Sequence, residues 1–185
     1  MQKVLAADDI AQLIDGLARQ MLAASEIAGA GAGRVALVGI RRRGEIIAQR
    51  LAGILQKSLG FAVPVGALDI TMYRDDIMGQ RNIIIPIGTE MSFRIDDRIV
   101  LLVDDVLHTG RSVRAALDAL VDFGRPKRIY LAVLVDRKGR EYPISADFVG
   151  RAMAVGDDSR VRILLAPTDC EDAAYVEEPV KGGAA

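Results

Sequence analysis

Residues 98–120, RIVLLVDDVLHTGRSVRAALDAL, pass from an apolar run through two acids and a glycine turn into an amphipathic stretch. Ile99 to Val103 is unbroken, short and rich in β-branched residues, the signature of a strand buried on both faces. The strand delivers two adjacent carboxylates, Asp104 and Asp105. The turn Leu107-His108-Thr109-Gly110-Arg111-Ser112 follows, and then a helix whose apolar positions Val113, Leu117 and Leu120 recur at helical spacing. Free N–H groups at a helix start, reinforced by the helix dipole, form an anion site. Gly110 lets the backbone come close, and Thr109 and Ser112 add hydroxyl donors. The acids would repel a phosphate, so they suit what is attached to it: sugar hydroxyls or a Mg²⁺ ion. A 5′-phosphorylated ribose satisfies both halves.

The flanking segments repeat the strand–loop–helix pattern. Val35 to Ile40 predicts a strand, followed by Arg41-Arg42-Arg43-Gly44 and a helix from about Glu45 to Lys57. A basic loop at a helix start, without carboxylates, suits a more highly charged anion such as pyrophosphate. Val63 to Ile70 and Ile129 to Val135 predict further strands, the second ending in Asp136-Arg137-Lys138-Gly139-Arg140. Ligands of parallel α/β sheets sit outside the carboxyl ends of the strands, so the loops after Ile40, Val103 and Val135 should converge. Residues 8–27 predict a first helix with an apolar stripe of Ile10, Leu13, Ile14, Leu17 and Met21. The glycines at 29, 31 and 33 precede a strand instead of following one, which marks a connection and not a dinucleotide fingerprint. Asp147 to Gly150 and Val161 to Leu165 predict short peripheral strands. Residues 71–97 read as no single regular element, and a connection of that length suits a lid. The acidic residues 170–185 read as a partly disordered tail.

The chain of 185 residues fits one domain on a prior of roughly 150 residues each. No apolar run approaches the roughly 18 residues that span a bilayer, and the start lacks the pattern of a secretory signal. The single Cys170 excludes an internal disulfide and points to a reducing cytoplasm. One His and one Cys argue against structural zinc. A net charge of −1 gives no global basic field for nucleic acid.

The stretch VLLVDDVLHTGRS resembles the 5-phosphoribosyl-1-pyrophosphate (PRPP) motif of type I phosphoribosyltransferases. LVGI-RRRG, LDITMYRDD, VLLVDDVLHTGRSVRAALDALVDFGRP and LAVLVDRKGREYPISADFVG resemble, in that order, the PyrR family of pyrimidine operon attenuators and uracil phosphoribosyltransferases. The resemblance runs from about Val35 to Arg151. It implies a type I phosphoribosyltransferase fold, a mainly parallel sheet flanked by helices with a flexible hood, in a single domain over 1–185. The implied reaction is uracil plus PRPP giving UMP and pyrophosphate, with Mg²⁺, in a cytoplasmic homodimer or larger homo-oligomer. Asp104, Asp105, Val106, Leu107, His108, Thr109, Gly110, Arg111 and Ser112 then bind PRPP and UMP. The two acids face the ribose and Mg²⁺, directly or through water. Arg41, Arg42, Arg43 and Gly44 take pyrophosphate, with Arg43 counted with the acids as catalytic. Tyr73 and Arg74 belong to the hood, and Val135, Asp136 and Arg137 border the base.

His108, the one histidine, invites the role of general base. Family members of this kind carry tyrosine there, so packing or a loop hydrogen bond is the expected role. The Gram-positive members also bind pyrimidine-operon mRNA when UMP is present. This chain departs from them at Arg41-Arg42, Gly139, Ser145, Ala154-Val155, Asp15 and Arg19. Loss of cations and rings weakens phosphate and base contacts, leaving Arg19, Arg140 and Arg151 as a residual basic patch. The alternatives are a nucleotide-sensing regulator with weak catalysis and a phosphoribosyltransferase for another base.

Overall fold

The computed structural model describes residues 1–73 and 88–178. In chain order the elements are β1 (Gln2–Leu5), α1 (Ala7–Ala23), α2 (Ser25–Ala28), β2 (Val35–Ile40), α3 (Arg43–Leu59) and β3 (Val65–Leu68), followed by β4 (Ile99–Leu107), α4 (Arg111–Leu120), β5 (Arg128–Arg137), β6 (Phe148–Met153), β7 (Arg160–Leu164) and β8 (Ala173–Glu177). Turns of 3₁₀ helix lie at Thr71–Tyr73 and Val121–Phe123. Arg74, assigned above to the hood, lies outside the described residues.

The main sheet has the order β3-β2-β4-β5-β6, with every pairing parallel. Its central strands are apolar on both faces, and all six residues of β2 are buried. Leu37, Leu101 and Leu134 point to a core shared with α1 and α3. Val38, Leu102 and Val133 point the other way, to a core shared with α4. This is the period of two that a doubly covered strand imposes.

From β2 the chain winds through α3 to β3, toward one edge of the sheet. From β4 it winds through α4 to β5, toward the other. The winding therefore reverses between β2 and β4, adjacent strands whose following helices lie on opposite faces. Such a reversal opens a crevice at the carboxyl ends of the strands. The basic loop and the glycine turn flank that crevice.

A second, antiparallel sheet of order β1-β8-β7 joins the two ends of the described chain. It corrects the reading of 170–185 as a tail: 173–177 is the middle strand, with Ala173 and Ala174 fully buried. β1 carries too few residues to show a period. β4 is also longer than expected, because the backbone ladder continues through Asp104 to Leu107.

The approach of α3 to the sheet depends on two glycines, Gly44 and, in β2, Gly39, where an added Cβ would stand 2.4 Å from Glu45 Cα. An added Cβ at Gly44 would overlap the carbonyl oxygen of Val103, and backbone has nowhere to retreat inside a parallel ladder. Gly44→Ala is expected to cost about 1–3 kcal/mol of stability, the range for overpacking a close contact. Chemical denaturation of the two proteins measures it.

Candidate active site

The glycine turn builds the first half of the crevice. Gly110 takes a left-handed conformation, φ 90°, and caps α4. The Thr109 hydroxyl accepts the N–H of Arg111 at 3.3 Å. The carbonyl of Thr109 accepts the N–H groups of Glu141 and Tyr142 at 2.9 and 3.0 Å, so the loop after β5 braces the turn from outside. Arg111 pairs with Glu141, and its guanidinium stands 5.9 Å from the centre of the Tyr142 ring. The start of α4 follows directly on the carboxyl end of β4, the arrangement in which helix starts bind anions.

Asp104 and Asp105 lie beside this turn, still within β4. An Oδ1 of Asp104 accepts the amide of Asp105 at 2.9 Å, and an Oδ1 of Asp105 accepts that of Val106 at 2.9 Å. Each carboxylate is thus oriented by its own backbone. Val103 and Val106 both pack toward the α1/α3 core, while Leu102 and Leu107 both pack toward the α4 core. The strict alternation of a strand is interrupted at the acids. Asp104 is 6% exposed. Burial pushes the Asp105 carboxyl above its ordinary value, and the nearby Arg43 guanidinium pulls against that rise.

The basic loop builds the second half. The Arg41–Arg42 peptide is cis, and α3 begins at Arg43. Its three arginines have different surroundings. Arg41, with a side chain 9% exposed, pairs with Glu45 at 3.3 Å and Glu90 at 2.8 Å. Arg42 is exposed and lines a cavity of about 300 Å³ with Glu45, Ile46, Gln49, Pro167 and Thr168. Arg43 makes a two-point ion pair with Asp169, with both contacts at 3.0 Å. Neighbouring carboxylates thus hold Arg41 and Arg43, while Arg42 is exposed.

Other residues singled out in the sequence lie outside the two turns. Tyr73 donates its hydroxyl to Asp122, beyond the C-terminal end of α4 and away from the glycine turn. Val135 is buried in the core. Arg137 is 4% exposed, with its guanidinium given to the carbonyls of Gly156, Asp157 and Ser159. Asp136 is paired with Arg140. Arg140, read as part of a basic patch, points inward instead. It donates to the carbonyls of Leu107, His108, Arg137 and Ile144, tying the ends of β4 and β5 together. A cavity of about 570 Å³ opens beside it, lined by Asp136, Lys138, Gly139, Ser145 and Met153 among others. Asp169 and Met153 carry no local motif, so only the folded chain reveals their place.

His108 lies against Gly139, where φ is 106° and an added Cβ would stand 2.5 Å from the imidazole Nε2. Burial, then the charges of Arg137 and Arg140, lower its pKa below the ordinary 6.5. The imidazole is consequently neutral at pH 7.

Two helix starts on opposite faces of a parallel sheet thus flank an acidic pair. Residues 2–159 match the phosphoribosyl transferase domain. Proteins named "Bifunctional protein PyrR" are similar over most of the chain. That of Roseiflexus sp. (strain RS-1) is 49% identical, covering 91% of this chain and 90% of its own. That of Pelotomaculum thermopropionicum is 44% identical, covering 95% of each. The chain belongs to the PyrR family of phosphoribosyl transferase domain proteins. A hypoxanthine phosphoribosyltransferase structure from Trypanosoma cruzi shares the fold at a TM-score of 0.72 and 19% identity, over 96% of this chain and 95% of that one. Among the described residues no helix is long and apolar enough to cross a membrane.

The placement of His108 generates a prediction. With the imidazole packed on Gly139, His108→Phe should keep kcat within about tenfold, below the 10²–10⁴-fold contribution of a general base. Its pH–rate profile between 6.5 and 8 should match that of the parent protein. Steady-state kinetics across that range checks both.

Proposed function

We propose that the chain transfers the 5-phosphoribosyl group of PRPP to uracil, releasing pyrophosphate and UMP. The observation that carries this reading is the facing of α3 and α4, two helix starts across the reversal of winding, with Asp104 and Asp105 between them. The glycine turn, Thr109 to Ser112, holds the 5′-phosphate through backbone amides and hydroxyls. Asp104 and Asp105 accept from the ribose hydroxyls and stabilise positive charge that develops on the sugar as the bond to pyrophosphate breaks. The start of α3, with Arg42 and Arg43, receives the leaving group. The base enters beside the cavity at the ends of β5 and β6. Holding it in line with the anomeric carbon supplies the entropic part of the acceleration.

The donor set suits Mg²⁺. Among the described residues no group of three or more carboxylate, His or Cys side chains gathers as a cage. Magnesium is commonly held by one or two carboxylates together with substrate phosphates and water, and Asp104 and Asp105 offer that pair. When bound, the ion supplies charge neutralisation for the departing pyrophosphate.

Formation of UMP from uracil, PRPP and Mg²⁺, followed spectrophotometrically with hypoxanthine and orotate as competing bases, tests the reading. Uracil should be the preferred base. Asp104→Asn and Asp105→Asn should each lower kcat/KM on the order of a hundredfold, the loss typical of one group that stabilises transition-state charge. Absence of turnover with any of the three bases would leave a nucleotide sensor without catalysis.

A second activity, UMP-dependent binding of pyrimidine-operon mRNA, draws on a different face. Arg19 on α1 and Arg151 on β6 are both exposed, and these elements pack together, with Gln20 bonding Val149 in both directions at 3.0 and 3.3 Å. Arg140 is spent on internal carbonyls. The reading predicts weak binding that the double change Arg19→Ala, Arg151→Ala abolishes and that shows a shallow salt slope. Mobility shifts of leader RNA with and without UMP measure it.

A further inference from the structure

The loop between β7 and β8, residues 165–172, is pinned to α3 at two places. Arg43 and Arg50 stand two turns apart on α3 and so share a face of the helix. Arg50 grips Asp172 with contacts of 2.5 and 3.0 Å and donates to the carbonyl of Ala166 at 2.8 Å. Asp172 in turn accepts the amide of Ala166 at 2.8 Å. This clamp holds the loop and involves no residue of the basic loop.

The second clamp is different, because one of its members lies at the start of α3. Arg43 presents Nε to Oδ2 of Asp169 and Nη2 to Oδ1, each at 3.0 Å. Asp169 is itself fixed: Oδ2 accepts the amide of Leu165 at 2.8 Å, and its own amide donates to the Leu165 carbonyl at 2.8 Å. Both partners are largely shielded from water, with side chains 29% and 15% exposed. A guanidinium gripped by its Nε/Nη2 edge keeps the edge carrying Nη1 turned outward from the carboxylate. The Arg43 charge also reaches Asp105 in the acidic pair. One side chain is thus bonded to the loop before β8 and acts on the acidic pair by its charge.

We propose that Asp169 is a positioning residue for the leaving-group end of the phosphoribosyl donor. It fixes Arg43 so that the opposite edge of the guanidinium faces the pyrophosphate. The proposal rests on the reading that residues 41–44 receive pyrophosphate. A long arginine side chain loses considerable rotamer freedom when it binds an anion. A carboxylate that has already ordered it removes part of that loss. The same negative charge keeps the guanidinium from collapsing onto Asp105 when no donor is bound.

The test compares full-length Asp169→Asn, Arg43→Lys and Asp172→Asn proteins for inhibition by inorganic pyrophosphate, KM for PRPP, KM for uracil and direct binding of UMP, which lacks the pyrophosphate. Asp169→Asn should raise the pyrophosphate inhibition constant and KM for PRPP about tenfold, the scale of one charged hydrogen bond. Its UMP affinity and KM for uracil should stay within about twofold. Arg43→Lys should weaken pyrophosphate at least as much, and the double variant should add little to either. Asp172→Asn breaks the neighbouring clamp in the same loop and should leave pyrophosphate inhibition within twofold. Three results overturn the proposal: an unchanged inhibition constant in Asp169→Asn while Arg43→Lys weakens pyrophosphate, an equal loss of UMP affinity, or an equal effect in Asp172→Asn. If Arg43→Lys also leaves pyrophosphate binding intact, the assignment of the basic loop falls with it.

Discussion

The contact between Gly44 and the carbonyl of Val103 is the constraint on which the ligand edge depends. Any side chain at 44 would push α3 off the sheet. Because α3 comes so close, its start lies over the end of β4, where Asp104 and Asp105 emerge. Because β2 and β4 are adjacent and their helices leave toward opposite faces, the start of α4 lies across the same crevice. Two positive helix ends with two carboxylates between them make an alternating field. That field matches a ligand with anionic groups at both ends and hydroxyls in the middle.

The edge is stiffened mainly by arginines. Arg140 binds four carbonyls from the ends of β4 and β5 and from the loop between β5 and β6. Arg137 binds the turn before β7, and Arg43 and Arg50 bind the loop after it. A guanidinium is suited to this work because its planar donors can serve several acceptors in fixed directions. The consequence for function is a division of labour. Several cations that look in the sequence like a ligand-binding or nucleic-acid surface, Arg41, Arg137 and Arg140, are held instead by internal carboxylates and carbonyls.

Much of this was legible from local patterns. VLLVDDVLHTGRS carries its own chemistry, because a buried strand, an acidic pair and a glycine turn need no distant partner to be recognised. The strands of the parallel sheet were readable for the same reason. What escaped was everything decided by long-range pairing. β8 looks like an acidic tail because Ala173 and Ala174 give it little apolar weight, yet both are buried between β1 and β7. Arg140 is indistinguishable in sequence from an exposed cation. Asp169 gains meaning only through Arg43, more than a hundred residues away.

The small sheet carries a kinetic consequence. Lys3 pairs with Tyr175, so among the described residues the ladder partner of β1 is a strand far along the chain. Joining segments so far apart is entropically slow, whereas the β2–α3–β3 and β4–α4–β5 units close over short distances. The parallel sheet, with the crevice between β2 and β4, therefore closes through shorter connections than the small sheet does. The loop bearing Asp169, which leads into β8, is thereby tied to the slower of the two closures.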